Sequence, residues 1–229
     1  HAGTDVLRER IVLHGQRDDA AKYDMKIVID DKLPPELNDM TATLRKVKVV
    51  KPDLLVVSGH SKGAALAIRQ LAAAKVNVPM LAMTHCDSAQ VIKKYNKAAE
   101  YTLCASQWAP SLTYKDAVFG SASDFAATFE KKFGYAPPYQ SAESAAAVLV
   151  FADAFQRAGA FDVAKVRDAL SATDMQTFYG NVKFDPTGKN IAKPMVLFQV
   201  QDGAYKVVAP TKWASSKIRH PTPPWSRRK

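Results

Sequence analysis

The chain has 229 residues, 47% of them hydrophobic and 24% charged, which describes a folded protein with a substantial core and excludes a disordered chain. No run of 18 apolar residues occurs, so no helix able to cross a membrane is legible. Of the formal net charge of +10, six units come from Lys212, Lys217, Arg219, Arg227, Arg228 and Lys229; the rest of the chain is mildly basic and has neither the arginine-aromatic interleaving nor the recognition helix of a nucleic-acid binder.

The opening residues, HAGTDVLRERIVLHG, lack the basic start, uninterrupted apolar segment and small-residue cleavage site of a secretion signal. MKIVID (25–30) predicts a strand, the turn-rich DKLPPELND follows, and 40–50 predicts a helix that Asn38 or Asp39 could cap. PDLLVVSG (52–59), a short apolar run flanked by Pro52 and Gly59, predicts a buried strand. A helix over 61–76, a strand at PMLAM (79–83), a helix over 87–99 and a strand at EYTLCAS (100–106) complete the repeating pattern. Strands joined by helices run parallel with right-handed crossovers, so the fold class is α/β, a doubly wound parallel sheet.

After residue 106 helices dominate: 121–134 and 141–159, each ended by a glycine, then 162–173. The second is apolar nearly all round, which predicts burial. TFYGNVKFDPTG, MVLFQVQDG and AYKVVAP supply closing β segments, with Asp202-Gly203 as a hairpin turn. The expected division is 1–106 as an α/β domain with an incomplete start, 107–175 as a helical part, 176–210 as closing strands and 211–229 as a basic, Pro-rich tail. Such a tail is open to binding phosphate or anionic lipid; the plainer expectation is a solvated end with Trp213 or Trp225 on the surface.

Cys86 and Cys104 have no C-x-x-C spacing and no nearby ligand set, so no metal site is expected, and no cofactor motif is seen. Near the ends of successive strands they are compatible with one disulfide or with two buried thiols.

Gly59, Ser61 and Gly63 form the pattern G-x-S-x-G on a strand-turn-helix, the context of a hydrolase nucleophile elbow. A triad also needs an acid and then a histidine. His85 arrives before any acid, and His220 stands in the tail. The competing reading is a binding edge, because open parallel sheets bind ligands outside the carboxyl ends of their strands. Ser58, His60 and Ser61 end one strand there, and Thr84, His85 and Asp87 end the next. Such a cluster offers hydrogen-bond donors and acceptors without a nucleophile-base-acid order.

The succession of "PDLLVVSGHSKGAALAIRQ", "PMLAMTHCDSA", the two long helices, "FYGNVKFDPTG" and "QDGAY" resembles the Leu/Ile/Val-binding type of periplasmic solute-binding protein, over about residues 19–210. The resemblance implies a type I periplasmic binding protein fold, present as the second lobe plus the returning part of the first. It implies the substrate-binding component of an ABC importer, periplasmic and without catalysis or cofactor, that holds a small amino acid or carboxylate, aromatic ones included, in an interlobe cleft. Its partners would be that ligand and a membrane permease.

Carried over by position, the ligand contacts fall on His60, Ser61, Thr84 and His85, with Asp87 the nearest acid to meet an ammonium group. Trp108, just beyond the fourth strand, is either a stacking surface for the ligand or a packing aromatic near the crossing between lobes. The family normally has a further half of the first lobe, so this chain is expected to be a truncated piece that exposes an apolar patch on 141–159, or one completed by another copy through swapping. A serine hydrolase using Ser61 and a cytoplasmic ligand sensor of the same fold are the alternative functions.

Overall fold

A computed structural model describes residues 16–34, 38–87 and 89–228. The chain forms two compact units. The first takes the described residues up to Ala105 together with Phe198–Lys206 and those from Ser216 onward; the second takes Ser106–Leu197 and Val207–Ser215. The first boundary thus falls beside the expected one at 106, whereas the closing strands and the tail are shared between units instead of forming blocks of their own.

The described part of unit 1 opens with helix α1 (16–22) and α2 (Thr41–Val50). There follow β1 (Leu54–Val57), α3 (Ser61–Ala73), β2 (Met80–Thr84), α4 (Ala89–Tyr95) and β3 (Leu103–Ser106). β1 pairs parallel with β2 in the register Leu54 to Met80, and β2 parallel with β3 in the register Ala82 to Leu103. α3 is rich in strong helix formers and aims Ala64, Ala67, Ile68 and Leu71 at a core shared with Leu44, Val47 and Met83. The sheet order is β1-β2-β3-β8-β9, with β8 at Val196–Gln201 and β9 at Ala204–Ala209. Asp202 and Gly203 join the last two strands with φ of 54° and 73°, the positive values a type I′ turn demands.

The strand expected at 25–30 does not form. Residues 25–34 have no regular secondary structure, and Met25, Ile27 and Val28 are 47%, 48% and 45% exposed. A period-two apolar run becomes a strand only against a neighbour that completes its ladder, and among the described residues β1 has β2 as its only strand neighbour.

The basic tail is not a solvated end. Gln199 and Gln201 of β8, both 1% exposed, hold its backbone much as another strand would. Gln199 Oε1 accepts from Arg219 N at 2.8 Å while Gln199 Nε2 donates to Arg219 O at 3.0 Å. Gln201 Nε2 donates to Lys217 O at 2.8 Å and to Gln199 Oε1 at 2.7 Å. These buried carboxamides are saturated, which is the condition for burying them at little cost. Farther on, the Trp225 indole donates to Val76 O at 2.8 Å and its ring packs against the core of unit 1.

Unit 2 contains two antiparallel pairs, β4 (Lys115–Asp116) with β5 (Gly120–Ser121) and β6 (Asp174–Thr177) with β7 (Gly180–Lys183). Its helices are α5 (Ala122–Phe133), α6 (Tyr139–Ala158) and α7 (Val163–Ser171). α5 starts in a capping box of Ser121 and Asp124, and Asp162 caps α7 through Lys165 N. Gly134 and Gly159 end α5 and α6 in the left-handed conformation. Arg157 of α6 donates to Asp153 at 2.6 Å, to Ala169 O at 2.7 Å and to Thr173 Oγ1 at 3.0 Å, tying α6 to α7.

α6 is not buried all round. Ala142, Ala146, Val150 and Ala154 form its buried stripe at a spacing of four, while Val148, Phe151 and Phe155 on other faces are 68%, 48% and 38% exposed. The expected apolar patch on this helix is therefore present. Trp213, also expected on the surface, is buried in unit 2, where it donates to Thr113 Oγ1 at 3.2 Å and packs on Tyr114.

Candidate functional site

The polar residues of unit 1 collect where β1 and β2 end. Parallel register places Val57 beside Met83, so the residues that follow each strand emerge at the same sheet edge. The backbone of Gly59 joins the two loops. Gly59 N donates to Thr84 Oγ1 at 3.0 Å, and Gly59 O accepts from Thr84 Oγ1 at 2.8 Å and from His85 Nδ1 at 2.7 Å. Gly59 has nothing within 4 Å of where a Cβ would stand, so it is backbone and not side-chain size that is used here.

His85 takes φ of 54°, a left-handed value uncommon outside glycine, and its imidazole bond to Gly59 compensates. The next residue, Cys86, is bonded to Cys104 with Cα atoms 5.5 Å apart, so the loop after β2 is fastened to β3. This settles the cysteines as a disulfide. Cys86 O also accepts a hydrogen bond from the Tyr205 hydroxyl. Burial pushes the Tyr205 phenol up, and the charge of Asp87 adds to the shift, so the phenol stays protonated and able to donate.

His60 is the N-cap residue of α3, with its side chain exposed, and its ring lies 5.4 Å from that of His85 at an angle of 46°. Ser61 opens α3 and is exposed. Gly63 N and Ala64 N both reach back to His60 O, and among the described residues the N–H groups of Ser61 and Lys62 are the open donors of this helix start. Ser58 Oγ accepts from Gln16 Nε2 of α1, a contact that no sequence pattern announced.

The structure thus brings Ser58, His60, Ser61, Thr84 and His85 to one edge, with Asp87 half-buried in the same loop. Trp108 belongs to unit 2. It is 2% exposed, edge-on to Phe125 and Phe178 with centroids 5.9 and 6.3 Å away. Of its two readings the packing one describes it, because a ring enclosed by other rings has no face left for a ligand.

The hydrolase alternative lacks its geometry. His85 Nδ1 is engaged by a backbone carbonyl instead of a carboxylate, and among the described residues Ser61 makes no hydrogen bond to a histidine. No group of three or more His, Cys, Asp or Glu among the described residues is placed to hold a metal ion.

Two cavities lie elsewhere. One of about 260 Å³ in unit 1 is bounded by Leu44, Lys48 and Gln70. One of about 660 Å³ in unit 2 is bounded by Glu143, Val150, Phe151, Arg167 and Tyr179. Beside Tyr179, Lys193 Nζ lies 4.2 Å from the ring centroid, and burial lowers this ammonium to about 8.

Comparison with known proteins agrees with this architecture. The Leu/Ile/Val-binding protein homolog 7 of Brucella suis biovar 1 is 34% identical over 104 residues, which are 43% of this chain and 26% of that protein. The branched-chain amino acid transporter binding protein LivJ of Streptococcus pneumoniae, solved with isoleucine, superposes with a TM-score of 0.68 at 21% identity, covering 84% of this chain and 56% of its own. A solute-binding protein of an ABC transporter from R. palustris, solved with benzoate, gives a TM-score of 0.64 at 18% identity, covering 80% and 50%. The chain spans about half the length of these solved proteins. The family model described as periplasmic binding protein matches residues 14–204, and the chain belongs to that family.

Proposed function

We propose that the edge formed by Ser58, His60, Ser61, Thr84, His85 and Asp87 contacts a small carboxylate-bearing solute, and that the chain serves as substrate-binding component of an ABC importer, without chemical turnover. The observation that carries this is the double tie of Thr84 and His85 to Gly59, which draws two loops rich in hydroxyl and imidazole groups together at the carboxyl ends of adjacent parallel strands. The open N–H groups at the start of α3, a helix of 13 residues, favour a negative group there.

The molecules bound by the two solved relatives, isoleucine and benzoate, have a carboxylate and an apolar body in common. That shared chemistry fits imidazoles and hydroxyls as donors. The Cys86–Cys104 bridge suits a periplasmic location, since disulfides persist in oxidising compartments. A membrane permease is the partner this function requires.

Isothermal titration against aliphatic amino acids, benzoate and other small carboxylates tests the reading. At least one should bind, and His60→Ala should weaken it about tenfold, a loss of about 1.4 kcal/mol. Absence of binding across the panel, or an unchanged affinity in His60→Ala and Ser61→Ala, would count against it.

A further inference from the structure

The geometry of the two histidines points to more than hydrogen bonding: we propose that His60 and His85 together bind a divalent transition-metal ion of the zinc type, whose open coordination positions face the solute. The inference rests on reading this edge as the solute-binding face.

Three observations support it. First, the separation is right. A metal–nitrogen bond of about 2.0–2.1 Å places an ion roughly 3.2 Å from an imidazole centroid, so two imidazoles at a tetrahedral angle have centroids about 5.2 Å apart. The observed separation is 5.4 Å, and the tilt of 46° is that of neither a flat stack nor a perpendicular pair.

Second, His85 is already oriented as metal-binding histidines are. Its Nδ1–H donates to Gly59 O at 2.7 Å, so Nε2 is the nitrogen through which this ring would coordinate an ion. A carbonyl partner on one ring nitrogen is the common support for a ligand on the other. His85 is further held by its left-handed backbone and by the disulfide at the next residue, so the donor is fixed before any ion arrives.

Third, His60 is uncommitted. It is exposed at the N-cap of α3 and makes no hydrogen bond among the described residues, so its ring is free to turn a nitrogen toward a shared ion.

Among the described residues these two are the donors, since no third His, Cys, Asp or Glu there joins them. A structural metal site closes all four positions with protein ligands, whereas a site that serves a second molecule keeps positions open. Here the open positions would be filled by water or by the carboxylate of the solute. Imidazole donors select zinc, copper and nickel over magnesium and calcium, which prefer oxygen.

The test uses Zn²⁺ alone, followed by two-bond ¹H–¹⁵N correlation spectra of the imidazoles, with His60→Asn and His85→Asn to assign the signals. His1, His14 and His220 report background binding in the same spectra. The expected result is that the His60 and His85 signals respond together at one equivalent, the His85 change being centred on Nε2, and that either substitution weakens Zn²⁺ binding by 10-fold or more in calorimetry. Response confined to the other histidines, or wild-type affinity in both variants, overturns the inference. Tight binding of a carboxylate or amino acid with no Zn²⁺ response overturns it too, while leaving the solute-binding reading intact.

Discussion

The carbonyl oxygen of Gly59 accepts the Nδ1–H of His85 at 2.7 Å, across 26 residues of sequence. Thr84 Oγ1 adds a second bond to the same oxygen and receives the Gly59 N–H, so the two peptide groups that flank the Gly59 Cα are both held by the end of β2. Thr84→Val keeps the shape and removes both hydroxyl contacts. It is expected to cost about 1–2 kcal/mol of stability and to leave the Gly59 amide unpaired. Hydrogen exchange at Gly59 measures this directly, and unchanged protection would show that the two loops are joined by something else.

The Cys86–Cys104 bridge spans a separation of 18 residues, a loop whose closure stabilises by about 3 kcal/mol through its effect on the unfolded chain. Replacing both cysteines by serine is expected to lower the melting temperature by roughly 6–12 °C for a chain of this size. Because Cys86 follows His85 directly, ligand affinity should fall with it. A thermal scan with and without reductant checks the first effect, and titration of the double variant checks the second.

The tail is bound through backbone and indole contacts, with one exposed ion pair, Arg219 to Asp202 at 2.5 Å, beside them. Trp225→Ala removes a ring packed on the core of unit 1 and its bond to Val76 O, and is expected to cost about 2–3 kcal/mol. Gln199→Leu strands the N–H and C=O of Arg219 and should cost a similar amount. Lys217→Ala should stay within about 0.5 kcal/mol, since its side chain is exposed and only its carbonyl is used. Urea midpoints for the three variants decide the matter; if Lys217→Ala costs as much as the others, the charges hold the tail after all.

Lys193 gives unit 2 a pH dependence. Its ammonium falls from an ordinary 10.5 to about 8, the main cause being burial, with the Glu143 charge opposing. The unfolded chain then binds more protons than the folded one between those values, so stability rises with pH from about 8 to 10.5 on account of this group, and its penalty is fully present below 8. Because the group is partly exposed, the effect is expected to be about 1 kcal/mol. Lys193→Met should be the more stable protein at pH 7 and lose its advantage by pH 10. A constant difference between the two at all pH values would assign the effect to packing over Tyr179 instead.

Several elements could be read directly because their causes are local. α3 follows from a run of Ala, Leu and Ile after a strand-ending glycine, the end of α5 from Gly134, and the last hairpin from Asp202-Gly203. That the residues after β1 and those after β2 share an edge was legible for a related reason, since parallel strands of known order must end at a common edge. Trp108 was not, because an aromatic after a strand is equally suited to a ligand or to the ring cluster with Phe125 and Phe178 that encloses it.

The sequence by itself determined where helices and turns lie and which loops share an edge, since propensity, caps and periodicity act over a few neighbouring residues. Tertiary structure alone decided that residues 25–30 find no strand partner, that the cysteines bond, that His60 and His85 lie 5.4 Å apart, and that Gln199, Gln201 and Val76 capture the tail. Trp225 meets Val76 across 149 positions of chain, and no local rule registers a contact whose energy depends on two distant segments arriving at the same place.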